Sequence, residues 1–424
     1  MIKELLERNP DDQRALAALS RITGSDWIYD LSSRRALEIL SLDEPYAEAG
    51  SHAIYSSMPS RVILPSPTFD FIDKSEVLAE FLLGSINKRD ILKPVGFDNI
   101  NGRPKREILR IKNATVVCTP ISICVLDADY KIVREASHNA AEALLLAFKS
   151  GSLRVSNTTI EKAILGSIQQ TFNLGHWFID TLPRLSFLRN HLSNSSAIDV
   201  SQYPVLLDTV DHHIIKFSMH NLGFSRLFPT LPFSIYCVGD LVVPIIYSFD
   251  DRVAISSKVV LRLYPPSKSM SDSQLSFRTG DKIYLSRQKI ARRKILDHTC
   301  LDRMLLEAGF SVLHPQELDL FTMSRLIGEA ETVLAPNGAA LANILFGERS
   351  LKKVSILYPP SHIDDYYFRV TRAMNYNGVF AFANNADLPA SYVEALRRYY
   401  YPSVGKDYLA DSGNFASALK AIIS

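Results

Sequence analysis

The sequence predicts an α/β protein built on parallel sheets, and three observations carry that expectation. Through the second half, short β-branched or apolar runs alternate with helical segments of about ten residues, the order of βαβ units with right-handed crossovers and helices on both faces. Hydrophobic residues make up 47% and charged residues 22% of the 424 residues, which fits a folded globular chain and argues against long disordered, collagen-like or coiled-coil segments. No apolar run approaches the roughly 18 residues of a membrane-crossing helix, and the longest, Leu241 to Tyr247, reads as a strand.

Taken in order, residues 1–45 read as helices, because apolar residues recur at three- and four-residue spacing through Leu5, Leu6, Leu16 and Leu19, then Leu31 and Leu37. From Tyr46 to about Arg110, Pro59, Pro65, Pro67, Pro94 and Pro104 break the chain into short pieces, read as irregular covering structure with one helical stretch near Ser75 to Leu83. Two β-branched runs follow, from Ile108 to Cys118 and from Ile121 to Ser137, the second with an Asp127-Ala128-Asp129-Tyr130 turn inside it; a hairpin is expected. Glu142 to Phe148 reads as helix, Lys162 to Ser167 as strand, and Asn173 to Arg189 as an amphipathic helix. Strand, helix, strand then continue through Leu207, through Asp211 to Leu222, and from Ile235 to Pro244.

Residues 250–280 hold a helix and then a serine-rich stretch, the best linker in the chain. Beyond it come strand Lys282 to Arg287, helix Asp297 to Ala308, strand Phe310 to His314, helix Leu318 to Ala330, strand Thr332 to Pro336, helix Ala339 to Phe346 and strand Lys353 to Pro359. A parallel sheet of this kind places ligands at the carboxyl ends of its strands. The expected organisation is therefore a helical and irregular region over 1–107, an α/β domain over 108–250, a Rossmann-like domain over 251–385 and a helical tail over 386–424.

Forty-seven Lys and Arg against 45 Asp and Glu give a net charge of +2, too balanced for a nucleic-acid wrapper, so no nucleic-acid partner is expected. The four cysteines form no C-x-x-C pair and no zinc or disulfide spacing. The amino terminus is charged and amphipathic without an apolar signal core. A cytoplasmic protein without a transmembrane segment is expected, and peripheral attachment to the inner membrane face is compatible with that.

Three motifs could carry chemistry. In Asn173-Leu174-Gly175-His176-Trp177-Phe178-Ile179-Asp180-Thr181-Leu182-Pro183-Arg184-Leu185, His176, Asp180 and Arg184 recur every fourth residue and share a helix face. Pro183 has no N–H to give and crowds the carbonyl four residues back, so the helix should kink or restart near Ile179. In Tyr284-Leu285-Ser286-Arg287-Gln288-Lys289-Ile290-Ala291-Arg292-Arg293-Lys294, a Ser-Arg strand end leads into a basic loop suited to an anion, although a solvated loop or an anionic-lipid patch would look the same. In Ala335-Pro336-Asn337-Gly338-Ala339-Ala340-Leu341-Ala342-Asn343, small residues between strand and helix let a ligand approach the backbone, or serve packing alone. Asp127 and Asp129 read as a hairpin turn rather than a metal pair, and Asp211-His212-His213 as a helix cap.

In this order the three motifs resemble the glycosyltransferase family 61 domain. Its pattern contains a His-Trp-x-x-Asp-x-Leu-Pro-Arg-Leu helix, a Ser-Arg strand end followed by basic residues, and a Gly-Ala-x-Leu-x-Asn-x-x-Phe helix start. The segment Gly309 to Leu320 is similar as well, and the resemblance covers roughly residues 110–385. It implies two facing Rossmann-like domains of GT-B type, with parallel sheets. It also implies inverting transfer of a sugar from a nucleotide-sugar, usually a UDP-sugar, to a glycan acceptor that can be lipid-linked, in synthesis of capsule or other surface polysaccharide.

By that resemblance Ser286, Arg287, Arg292, Arg293, Asn337, Gly338, Ala339 and Asn343 hold the donor. Asn173, Trp177 and Arg184 border the acceptor, and Asp180 is the candidate base, with His176 as its rival or its orienting partner. No cofactor and no metal is required. Asn337 stands where the family commonly has His, and Ser355 where it often has Glu in the following strand; these two positions favour the competing expectation of a catalytically weakened glycan-binding or scaffolding protein.

Overall fold

The computed structural model describes residues 51–55, 68–72 and 106–382, apart from segments of the last span among which 139–153 and 267–280 are the longest. The helices expected within 1–45, near Ser75 to Leu83, over Glu142 to Phe148 and in the tail 386–424 lie outside the described residues. The chain divides into two compact units, one within residues 1–60 and 93–248 and the other within 61–92 and 249–424.

The proline-rich stretch expected to be irregular supplies two strands, β1 (Ser51–Tyr55) and β2 (Phe69–Ile72), one to each unit. In the first unit β3 (Arg106–Cys118) and β4 (Ile123–Leu126) form the expected hairpin. Beyond it Asp127 accepts from the Asp129 backbone N–H at 2.9 Å, and Leu126 bridges to Ile132, so the Asp-Ala-Asp triplet is a turn held by its own carboxylate. β5 (Arg154–Val155), β6 (Ile160–Leu165), β7 (Val205–Leu207), β8 (Leu227–Pro229) and the long β9 (Ser234–Ile246) complete an eight-stranded sheet among the described residues, with a main order of β1-β3-β9-β6-β7-β8.

The expectation of parallel strands in both domains holds for only part of this sheet, which is mixed. β6, β7 and β8 are parallel to one another and to β9, but β9 runs antiparallel along the whole of β3, and β3 antiparallel to β1 and β4. A tight hairpin leaves no room for a crossover helix, so β3 and β4 can only be antiparallel. The helical side comprises α1 (Leu174–His176), a π turn over Trp177–Thr181, α2 (Leu182–Leu192) and α3 (His213–Asn221). Ile111, Val116, Val125, Leu165, Leu206 and Leu241, each essentially without exposure, form the centre of the core.

The second unit is the doubly wound sheet that the sequence pattern indicates. After α4 (Phe249–Leu263) come β10 (Lys282–Leu285), α5 (His298–Glu307), β11 (Phe310–Leu313), α6 (Leu320–Glu329), β12 (Thr332–Pro336), β13 (Lys353–Tyr358), α7 (Tyr366–Ala373) and β14 (Asn377–Phe382). Every pairing is parallel, in the order β11-β10-β12-β13-β14-β2. Asp319 starts α6 by accepting from the backbone N–H of Phe321 and of Thr322, each at 2.9 Å, a cap worth about 1 kcal/mol.

Between β12 and β13 an α-helix is expected, but Ala339–Gly347 winds as a 3₁₀ helix. Local packing accounts for the tighter winding. The Leu341 N–H bonds the Gly338 carbonyl three residues back at 2.9 Å, the Asn343 side chain bonds the Ala340 carbonyl at 2.8 Å, and the backbone at Gly347 lies so close to Leu351 that an added Cβ would stand 2.5 Å from that side chain.

Candidate functional site

In the second unit the chain leaves β10 for β11 on one side and returns to β12 on the other, so the strand order reverses between β10 and β12. Above such a reversal the carboxyl ends of two neighbouring strands open a crevice, the usual ligand position of a doubly wound sheet. Two of the sequence motifs emerge there, Ser286-Arg287 directly after β10 and Asn337-Gly338-Ala339 directly after β12. Topology therefore brings together residues about fifty positions apart.

Local bonds shape both strand ends. The Ser286 N–H bonds the Leu313 carbonyl at 2.8 Å, its Oγ accepts from the Gln288 N–H at 3.3 Å, and the Ile290 N–H closes a turn on the Arg287 carbonyl at 3.1 Å. Ser286 is wholly buried and Arg287 nearly so. Lys289 is engaged with Glu317 at 2.6 Å, while Arg292 and Arg293 lie outside the described residues. Gly338 adopts φ 153°, ψ −178°, a region that side chains with a Cβ scarcely enter, so this turn requires glycine. Asn337 continues the sheet by donating its N–H to Leu357 at 2.8 Å and points its side-chain nitrogen at Asp364 Oδ2, 3.0 Å away. Asn343, expected to meet the donor, is buried and donates its side-chain N–H to the Ala340 carbonyl.

In the first unit the expected break ahead of Pro183 takes the form of the π turn. A regular helix would need the N–H of residue 183 for the Ile179 carbonyl; proline lacks it, and widening one turn lets the Leu182 N–H reach the Trp177 carbonyl instead. Phe178, Ile179, Leu182, Leu185 and Leu188 have no exposure, and at roughly 2 kcal/mol for each buried side chain their packing outweighs the cost of the distortion. Asn173 caps the start, its side chain accepting from the Gly175 N–H at 2.9 Å.

Across this turn His176 Nδ1 meets Asp180 Oδ2 at 2.8 Å. The two side chains differ in access: His176 is 25% exposed and Asp180 8%. An ionised carboxylate only accepts, so against one the Nδ1 of His176 serves as the donor of this bond. The helix-face expectation holds for this pair. Arg184 instead sends its Nε to the Pro244 carbonyl of β9 at 2.8 Å and is buried, clamping helix to sheet. Trp177 is also buried, its Nε1 donating to Ser218 Oγ at 3.4 Å, so this residue and Arg184 position the helix.

One residue that shapes this site escaped the sequence reading. Asp208, directly after β7, accepts from the Thr171 backbone N–H at 3.0 Å and from the hydroxyls of Ser167 and Thr171, and thereby ties down the turn that leads from β6 to Asn173 and His176. Its only sequence signal is an acidic residue at the end of an apolar strand. The helix-cap reading of Asp211-His212-His213 fits the structure: His212 accepts from the Ile214 N–H at 3.3 Å and stacks on His213 with ring centroids 4.8 Å apart. Burial, reinforced by His213, holds the His212 imidazolium below its ordinary range.

Among the described residues no group of three or more His, Cys, Asp or Glu could hold a metal ion, and no helix is long and apolar enough to cross a membrane. Residues 174–354 match the sequence profile of a family described as Glycosyltransferase 61. They run from the first residue of α1 into β13, and so include the His176–Asp180 pair and both strand ends of the crevice. No curated protein matches the chain significantly.

Proposed function

We propose, from the match of residues 174–354 to glycosyltransferase family 61, that the protein moves a sugar from a nucleotide-sugar, a UDP-sugar in our reading, onto a glycan acceptor with inversion, in the synthesis of a surface polysaccharide. One observation carries the donor half of this reading: Ser286-Arg287 and Asn337-Gly338-Ala339 end adjacent strands at the reversal of a parallel sheet. Arg287 offers a planar fork that can give two parallel hydrogen bonds to a diphosphate, and the glycine turn lets backbone N–H groups approach it. On this reading the two units are domains of GT-B type, the second holding the donor.

The chemistry of inversion is a single displacement. A base takes the proton of the acceptor hydroxyl as its oxygen attacks the anomeric carbon, the bond to the diphosphate breaks, and cationic and N–H groups take up the charge that leaves. Asp180 was the expected base; the greater access of His176 favours the rival reading, in which His176 Nε2 receives the proton while Asp180 fixes the ring and stabilises the imidazolium that forms. The step needs no divalent ion. A screen of UDP-sugars with candidate glycan acceptors tests the proposal. Nucleotide release with a product of opposite anomeric configuration by NMR is expected, and retained configuration or indifference to every nucleotide-sugar would overturn it.

A second reading, a glycan-binding protein with little turnover, is favoured by Asn337 and Ser355. Neither can act as a cation or carry a proton, and Ser355 is wholly buried within β13. Binding of nucleotide without transfer to any acceptor would select it.

A further inference from the structure

We propose that Asp364, on the reading of the second unit as the donor site, receives a hydroxyl group of the nucleotide-sugar, and that Asn337 is the residue that positions it. The two come from neighbouring strand ends: Asn337 directly follows β12, and Asp364 stands between β13 and α7, yet Asn337 Nδ2 lies 3.0 Å from Asp364 Oδ2. The bridge therefore sits beside the reversal between β10 and β12, on the side away from Arg287.

Three features turn this bridge into a recognition element. The carboxylate is held from two sides, because Oδ1 accepts from the Tyr366 N–H at 3.0 Å while Oδ2 takes the amide. Both contacts help to fix the plane of the carboxylate. Access is unequal: Asn337 is 1% exposed and Asp364 is half-buried, so the carboxylate is the member that a ligand can reach. Its chemistry is also selective, since a carboxylate repels phosphate oxygens and accepts from hydroxyls, and two oxygens in a fixed plane suit a pair of neighbouring hydroxyls.

The donor would thus be read in two parts, its diphosphate at the end of β10 and its hydroxyls across the ends of β12 and β13. Asparagine at 337 is then suited to its task, which is to hold a carboxylate and not to carry charge. Asn337 lies within the residues that match the family profile and Asp364 lies beyond them. The hydroxyls belong either to the ribose or to the transferred sugar.

Calorimetry on the full chain separates these cases, with inorganic pyrophosphate, UDP, and UDP-glucose or UDP-N-acetylglucosamine as probes. Asp364→Asn should weaken a hydroxyl-bearing probe about tenfold or more, the loss of a hydrogen bond to a charged group, while pyrophosphate binds as well as before or more tightly. A full loss already with UDP identifies the ribose; a loss only with the UDP-sugar identifies the sugar. Asn337→Ala should act in the same direction and less strongly, and Arg287→Ala should weaken all three probes. Unchanged binding of all probes to Asp364→Asn, or equal weakening of pyrophosphate and UDP, would sink the proposal. So would a manganese-dependent gain in pyrophosphate affinity that Asp364→Asn abolishes, because that makes Asp364 a cation ligand. A wild-type chain that binds none of the probes overturns the donor site itself; loss of binding in Arg287→Ala with Asp364→Asn indifferent leaves the donor site standing and removes Asp364 from it. Thermal melts of each variant identify any that fail to fold.

Discussion

The two units place their functional residues by different physical means. In the second, placement follows from topology: an all-parallel sheet that reverses between β10 and β12 sets Arg287 and Gly338 side by side, whatever the details of the side chains. In the first, His176 meets Asp180 across a local π turn that is held by remote groups, Pro244 on Arg184 and Asp208 on the preceding turn. Sites set by topology should tolerate single substitutions in their supports, whereas sites set by a distorted turn should not.

Four experiments sharpen or break that contrast. The largest effect is expected at His176, where loss of the proposed base in His176→Ala should lower turnover by ~10²–10⁴-fold. Asp180→Asn should cost less, ~10–100-fold, as the loss of an orienting partner. UDP affinity should remain near wild type in both, and a parallel drop in affinity would show that the two units do not divide the work. Next, Arg287→Lys and Arg287→Ala should both weaken UDP binding about tenfold or more, since a point charge does not replace a planar fork; calorimetry that finds the Lys variant unimpaired removes the bidentate contact.

Third, Asp208→Ala deprives Ser167 and Thr171 of their acceptor and should cost about 1–3 kcal/mol in urea titration, together with turnover, while UDP affinity holds. A loss of stability without loss of turnover would mean that the turn does not position His176. The smallest effect concerns Asp240 in the first sheet. Burial opposes its ionisation, but hydrogen bonds from Arg110, Lys112 and Tyr203 hold its carboxyl down to about 2. The unfolded chain binds that proton at higher pH, so the stabilisation is complete above about pH 4 and disappears as pH falls towards 2. Denaturant titration across that range should show the decline, and Asp240→Asn should flatten it.

The same contrast governs what could be read from the sequence. The alternation of strands and helices from Lys282 onward is a repeating local pattern, and the elements and the ligand edge of the second sheet follow from it. The first sheet is less legible, because β9 presents one apolar run that is compatible with either direction of pairing, and it pairs antiparallel with β3 and parallel with β6. Pro183 announced a break, but not that the break would be a π turn. Four-residue spacing placed His176 with Asp180 correctly; applied to Arg184 it missed the Pro244 carbonyl, which lies 60 residues away in sequence. Asp208 and Asp364 act through partners 37 and 27 residues distant, and no local pattern encodes such pairings.

The strand β2 has a consequence for how the protein is made. It closes the far edge of the second sheet against β14, and Thr68 bonds the side chain of Asn377 across 309 positions of sequence. At about 5–20 residues per second on a ribosome, β2 emerges some 15–60 s before its partner exists. The intervening polypeptide includes nearly all of the first unit, which can complete its own sheet in that interval. During synthesis β2 is therefore an edge strand without a sheet, four residues long, with Asp70 between its two phenylalanines. A nascent chain halted before residue 377 should bind a chaperone that recognises short apolar strands at β2, and should release it once β14 has been made.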